Sequence, residues 1–119
     1  MLNLDTGVDL RKPVKGRKFD VGISMDLLEH VTDPFTVAKN IQKSLKKGAL
    51  LFVTTPFIWE LHYHPGDYWR FCPQGFEILF KDMTPLKLYL VRDYHETETV
   101  TRMRTVGIFE NVKPKKGRN

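Results

Sequence analysis

Ionisable and aromatic side chains collect after two apolar runs of this 119-residue chain. The first run, residues 19–24, leads into a short segment with two acids and a histidine, and the second, residues 49–55, leads into a segment rich in aromatics and histidines. The groups are Met25, Asp26, Glu29 and His30 after the first run, and His62, His64, Asp67, Tyr68 and Arg70 after the second. Side chains of these types line cofactor pockets, orient substrates, transfer protons or bind metals.

A metal site is the first chemistry to consider for the second group. His62, His64 and Asp67 are three ligand types close together, but the pattern lacks a fourth ligand and matches no common zinc spacing, so no metal is predicted. Arg70 is suited to pair with Asp67 or to hold an anionic substrate. His30 follows a strand, where a histidine is more often a hydrogen-bonded structural group than a base.

A helix between the two apolar runs determines how these groups are positioned. Asp33 is the predicted N-cap and Pro34 the first helical residue, where a missing N–H costs nothing. Gly48 is the predicted left-handed stop. The predicted apolar face consists of Val37, Ala38, Ile41 and Leu45. Strand, helix and strand in succession predict a βαβ unit with parallel strands.

The carboxyl ends of parallel strands meet at one edge of a sheet, where open α/β sheets bind their ligands. Residues 24–26 end the first predicted strand and residues 54–56 end the second, so we expect the two polar groups to be neighbours. Met25 or Asp26 is predicted to line a cofactor pocket there.

The rest of the chain predicts a short helix from Pro73 to about Asp82, a strand at 86–91, a polar loop at 93–101 and a last strand at 102–112. The two strands predict an antiparallel hairpin at the end of the sheet. We expect residues 1–112 to form one domain and residues 113–119 to be a disordered basic tail.

Composition excludes several classes of protein. Hydrophobic content is 41% and no apolar run approaches membrane-spanning length, so no membrane association is predicted. The acidic N-terminus is unlike a signal peptide, and the single cysteine, Cys72, fits a reducing compartment, which predicts a cytoplasmic protein. The net charge of +5 comes largely from two short basic segments, which is weak support for nucleic-acid binding.

Three stretches resemble a known family. F-D-V-G-I-S-M-D-L-L-E-H-V-T-D-P-F looks like the segment after the cofactor motif in class I S-adenosylmethionine-dependent methyltransferases, in the branch that reads LEH-V-x-DP. K-K-G-A-L-L-F-V-T-T-P-F looks like the following helix end and strand, and H-P-G-D-Y-W-R-F-C-P-Q-G-F resembles a loop of one subgroup. The resemblance covers roughly residues 18–80.

The resemblance implies a fold, a cofactor and roles for particular residues. The fold would be α/β, a truncated Rossmann-like methyltransferase sheet with a parallel βαβ core and a C-terminal antiparallel hairpin. S-adenosylmethionine would be bound by Asp5, as ribose ligand, and by Met25 and Asp26. The acceptor side would consist of His30 and a lid carrying His62, His64, Asp67, Tyr68 and Arg70.

The chain lacks the glycine-rich turn with which the family holds the methionine part of the cofactor. We therefore expect a truncated family member whose cofactor binding is weak or depends on a partner. The strand at 19–24 would have an unpaired edge, which predicts a homodimer or a partner chain there. Two functions follow: methyl transfer to an unknown acceptor, or a non-catalytic interaction module that keeps the fold. Cofactor binding would discriminate between them.

Overall fold

The computed structural model describes residues 9–93 and 101–115, which form a four-stranded sheet with helices on one face. The elements are β1 (Phe19–Met25), a 3₁₀ turn (Leu28–His30), α1 (Pro34–Lys43), β2 (Leu45–Ile58), α2 (Pro73–Leu79), β3 (Thr84–Asp93) and β4 (Arg102–Glu110). The strand order is β1-β2-β4-β3.

The βαβ unit and the terminal hairpin are confirmed. β1 pairs with β2 in parallel, with Ile23 opposite Phe52 and Met25 opposite Thr54. β4 runs antiparallel to both β2 and β3, so the last strand of the chain lies inside the sheet and β3 lies at its edge. Within the described ranges β1 pairs only with β2, which makes it the other edge.

The predicted start of α1 is also confirmed. The Asp33 carboxylate accepts hydrogen bonds from the Thr36 backbone N–H at 3.1 Å and from the Thr36 hydroxyl at 2.6 Å. Pro34 is the first residue of the helix. An N-cap of this type satisfies one of the N–H groups that a helix leaves without an internal partner.

The predicted end of α1 is wrong. The helix stops at Lys43, and Leu45 and Gly48 belong to β2, where Gly48 has a φ of +82° next to an irregularity in the β1–β2 register. Ser44 ends the helix by donating its hydroxyl to the Ile41 carbonyl at 2.6 Å. The Asn111 side chain donates to the Leu45 carbonyl at 3.1 Å, and so holds the chain where it turns directly into β2.

One face of the sheet is covered and the other is open. On the covered face, α1 and α2 pack their apolar residues against Leu51, Val53 and Phe109, all of which are fully buried. The open face is defined by exposed apolar side chains on three strands: Val21, Ile23, Leu50, Tyr89 and Val91. The register of the strands puts these side chains on one face of the sheet. Val21 of β1 lies beside Leu50 of β2, and Tyr89 of β3 lies beside Val106 of β4.

The C-terminal elements differ from prediction only at their ends. α2 begins at Pro73 as predicted and stops at Leu79, three residues short of Asp82, while Phe76, Leu79 and Phe80 are buried as expected. β3 is longer than the predicted 86–91, and β4 ends two residues before 112. Asp5, most of the 93–101 loop and residues 116–119 of the predicted tail lie outside the described residues.

Candidate functional site

The carboxyl ends of β1 and β2 lie side by side, as the parallel pairing requires. The Asp26 backbone N–H donates to the Thr54 carbonyl at 2.9 Å, and the Thr54 hydroxyl donates to the Asp26 carboxylate at 3.3 Å. Asp26 has a φ of +50°, the left-handed region that aspartate tolerates better than most residues. Backbone strain of this kind is commonly found at functional sites.

Arg104 of β4 neutralises Asp26. Its guanidinium Nε and Nη2 each lie 3.1 Å from Asp26 Oδ2, and its Nη1 donates to Asp93. The same guanidinium lies 4.5 Å from the centre of the Trp59 ring, a cation–π contact. β4 places Arg104 beside the strand end because Pro56 of β2 is opposite it in the sheet.

The 3₁₀ turn after Asp26 brings Glu29 into the interior. Glu29 is 2% exposed, and among the described residues its Oε1 has no hydrogen-bond partner. Burial raises the pKa of Glu29 to about 7, because a carboxylate loses its hydration there. Glu29 Oε2 lies 3.4 Å from His30 Nε2.

The segment after β2 is tied to this turn by hydrogen bonds. The Glu29 carbonyl accepts from the Tyr68 N–H at 2.8 Å, and the Val31 carbonyl accepts from the Trp69 indole at 2.9 Å. His30 Nδ1 forms a hydrogen bond with the Gly66 carbonyl. The loop is therefore held over the strand ends by contacts along much of its length.

The Asp67 carboxylate holds the loop together by hydrogen bonds. Its side chain is 2% exposed and accepts from the His62 N–H at 2.8 Å and from Arg70 Nη2 at 2.9 Å. The hydrogen bonds from Arg70 are the main cause of a lowered pKa, about 2, for this carboxyl group. Of the two roles considered for Arg70, the structure shows the pairing with Asp67.

These elements enclose a cleft of about 260 Å³. It is lined by Asp26, Glu29, His30, Pro56, Trp59, His62, Asp67 and Arg104. The His30 and His62 rings meet edge to face, with centroids 5.7 Å apart. A small polar cleft with two histidines and three carboxylates is suited to holding an acceptor group and exchanging a proton with it.

The structure brings together four of the predicted site residues: Asp26, His30, His62 and Asp67. Met25, His64, Tyr68 and Arg70 lie outside the cleft lining, and Met25 and Tyr68 are largely exposed. Sequence reasoning missed Glu29, Trp59 and Arg104 as site residues. The alternation R-M-R in the last predicted strand was the one available signal for Arg104, since it puts two arginines on one face.

Two larger hollows, of about 380 and 570 Å³, lie against α2 and away from the strand ends. Apolar side chains such as Ile78, Leu79 and Met83 make up more than half of their lining, and they hold no convergent set of titratable groups. We therefore take the smaller cleft as the candidate site. In the parts of the chain that the structure describes, no group of three or more His, Cys, Asp or Glu side chains is arranged to hold a metal ion.

The fold and this site define a class I methyltransferase-like domain, and comparisons with known proteins agree. The family described as "Methyltransferase domain" matches residues 6–53. A ubiquinone biosynthesis O-methyltransferase of Cereibacter sphaeroides is 33% identical over 84 residues, which cover 62% of this chain and 32% of that protein. The chain thus spans about a third of the length of the curated relatives that it matches.

Solved structures share the fold at low identity. The [4+2]-cyclase SpnF superposes with a TM-score of 0.69 at 15% identity, over 90% of this chain and 55% of that one. The N-methyltransferase NodS from Bradyrhizobium japonicum, in complex with S-adenosylhomocysteine, has a TM-score of 0.64 at 16% identity, over 91% and 53%. Residues 6–53 thus resemble a methyltransferase domain, and the sheet is a truncated Rossmann-like one, as predicted.

The described residues fit one side of a cofactor site. Asp26 and Met25 lie at the tip of β1, beside a strand edge that is open within the described ranges. The cleft itself is smaller than most pockets that enclose a ligand of this size. None of the helices in these residues combines the length and apolar character needed to cross a bilayer.

Proposed function

We propose that the chain forms the acceptor side of a cytoplasmic S-adenosylmethionine-dependent methyltransferase and that the acceptor atom is a hydroxyl oxygen. The observation that carries the proposal is the cleft at the ends of β1 and β2, where Glu29, His30 and His62 converge. The O-methyltransferase activity of the curated relatives supports an oxygen acceptor. When bound, S-adenosylmethionine supplies an activated methyl group, so the protein's task is mainly to position and deprotonate the acceptor.

A completing protein surface is part of this proposal. Within the described residues, the β1 edge presents unpaired backbone and the open face presents apolar side chains, of which Ile23 and Leu50 are each more than 40% exposed. Edges and faces of this kind are commonly covered by another strand or helix layer. The matched region is only 55% of the SpnF chain, so that protein has further structure beyond it. We propose that a homodimer partner or another chain covers this surface and completes the cofactor site.

The test is a chimera in which this chain replaces the matching segment of the Cereibacter sphaeroides relative. We expect the chimera to transfer labelled methyl groups from S-adenosylmethionine to members of a panel of hydroxylated acceptors. The isolated chain is expected to bind S-adenosylhomocysteine weakly or not at all in a calorimetric titration. A folded chimera that binds S-adenosylhomocysteine and methylates none of the panel would contradict the proposal.

That contradicting result would favour the second candidate function, a binding module without catalysis, which the exposed apolar face also supports. The mass of the isolated chain in solution tests the partner. An assembly heavier than the 13.9 kDa chain, with slow amide exchange in β1, is the result expected for a homodimer. A monodisperse monomer with fast exchange in β1 would exclude the homodimer and leave a different chain as the partner.

A further inference from the structure

The hydrogen bonds around His30 determine where its protons lie. The Gly66 carbonyl can only accept, so His30 Nδ1 must carry the proton of the bond between them. A neutral imidazole with a protonated Nδ1 has a lone pair on Nε2. His30 Nε2 lies 3.4 Å from Glu29 Oε2.

At this distance an unprotonated ring nitrogen and an ionised carboxylate repel each other, and one proton taken up by either group turns the repulsion into attraction. The proton can be assigned to Glu29 or to His30, and in either case the pair as a whole gains one positive charge. Burial of Glu29 favours the protonated pair, because the carboxylate would otherwise be ionised away from water.

The charged groups around Glu29 and His30 have opposing effects on proton uptake by these two side chains. Asp26 on β1 and Asp67 on the loop are anionic and favour uptake of the proton, whereas Arg70 and Arg104 are cationic and oppose it. Each arginine is bound to one of these aspartates, and Arg104 is also bound to Asp93. The His62 ring completes the surroundings on the cleft side.

We propose that Glu29 and His30 together are the base that accepts the proton of the acceptor hydroxyl, an inference that rests on the proposed function. The O–H bond breaks and its electron pair stays on oxygen, which bonds the methyl carbon as the methyl–sulfur electron pair passes to sulfur. The proton ends between Glu29 and His30. Both side chains line the cleft in which the hydroxyl would lie, and Glu29 Oε1 has no partner among the described residues.

The first test needs no activity and uses the chain itself. An NMR titration from pH 4 to 9 in the presence of EDTA follows the Glu29 carboxyl carbon and the His30 ring nitrogens. We expect the Glu29 signal to titrate near pH 7, where its raised pKa lies, and His30 Nδ1 to stay protonated throughout. Titration of Glu29 near its ordinary value of about 4.3, or a His30 tautomer with the proton on Nε2 alone, would overturn the proposal.

The Glu29→Gln variant sharpens this test, with Glu77→Gln in α2 as a matched control. Between pH ~4.3 and 7 the folded chain holds a Glu29 proton that the unfolded chain has lost, so the free energy of unfolding falls as pH rises across that interval. Glu29→Gln should remove this decrease of the unfolding free energy with pH, and Glu77→Gln should keep it. If the unfolding free energy of Glu29→Gln depends on pH as in the unchanged chain, the shared proton is contradicted.

The second test measures kinetics in the chimera. Glu29→Gln is expected to lower kcat by roughly 10²-fold or more with KM changed by less than about threefold, and to abolish the loss of rate below pH 7. If the chimera that keeps Glu29 is inactive although the NMR titration gives the expected result, the proposed function is wrong and the shared proton of Glu29 and His30 is still supported. If the chimera is active and Glu29→Gln keeps the rate and the pH profile, the base assignment is wrong.

Discussion

The two faces of the sheet are made by the same four strands but differ in what covers them. On the helical face, Leu51 and Phe109 are 0% exposed and pack against α1 and α2. On the open face, Ile23 of β1 is 42% exposed, and Leu50 of β2 is 43% exposed although it is next to Leu51 in the chain. The stability of the isolated chain must therefore come mainly from one face, and the other is available for assembly. The following predictions test this difference.

Truncation of a core aromatic on the covered face should have the largest effect. Phe76 of α2 is fully buried and contacts the rings of Phe71 and Phe80. We expect Phe76→Ala to lower the free energy of unfolding by about 3–5 kcal/mol, because it removes buried area and leaves a cavity. Urea unfolding followed by circular dichroism measures this, and a loss below about 1 kcal/mol would mean that the covered face is not the core.

An added methyl group should also be costly on the covered face. A Cβ at Gly107 of β4 would come 2.8 Å from the Phe109 ring and 3.0 Å from the Phe76 ring, both of which are held in the core. Gly107→Ala should destabilise the chain by about 1–3 kcal/mol through overpacking. The control is Gly75→Ala in α2, where the nearest contact is 3.7 Å and a gain of about 0.5–1 kcal/mol is expected. Equal effects of the two changes would contradict close packing at Gly107.

Loss of the α1 cap should have a moderate effect. Asp33→Ala removes the acceptor of the Thr36 N–H bond, and we expect a loss of about 1 kcal/mol in the free energy of unfolding. Asp33→Asn keeps an acceptor at the same position and should cost less than half as much. If both variants lose the same amount, the charge of Asp33 matters and the hydrogen bond does not.

The smallest effect is expected on the open face. Ile23→Ala should change the free energy of unfolding of the monomeric chain by about 0.5 kcal/mol or less, because much of this side chain is already in water. Thermal unfolding at several protein concentrations measures it. A loss above about 2 kcal/mol that grows with concentration would show that a second copy already covers this face.

The sequence predicted the parts of the fold that local chemistry determines. Asp33 and Pro34 start α1 by contacts within one turn, and the β-branched runs on both sides form the two parallel strands. The end of α1 was mispredicted because it depends partly on Asn111, which is 66 residues from Leu45 along the chain. Gly48 has the left-handed backbone expected of a helix stop and uses it within β2 instead.

The difference between local and long-range contacts also explains which residues of the candidate site could be predicted. Asp26, His30, His62 and Asp67 line one cleft, and their proximity could be predicted because the ends of parallel strands can be recognised in the sequence. Arg104 is brought to Asp26 by the register of β4 against β2, across 78 positions of the chain. Glu29 was passed over as a site residue because its importance comes from burial, which its charged side chain gave no reason to expect.

The strand order has a consequence for synthesis of the protein. β4 leaves the ribosome after β2 and β3 and must insert between them. Until it arrives, β2 and β3 have no strand between them, and Phe76 lacks its neighbour Gly107 on β4. The nascent chain thus exposes apolar strands until β4 has been translated, and aggregation competes with folding during that time. Premature termination before β4 would leave a product for chaperones and proteases to remove.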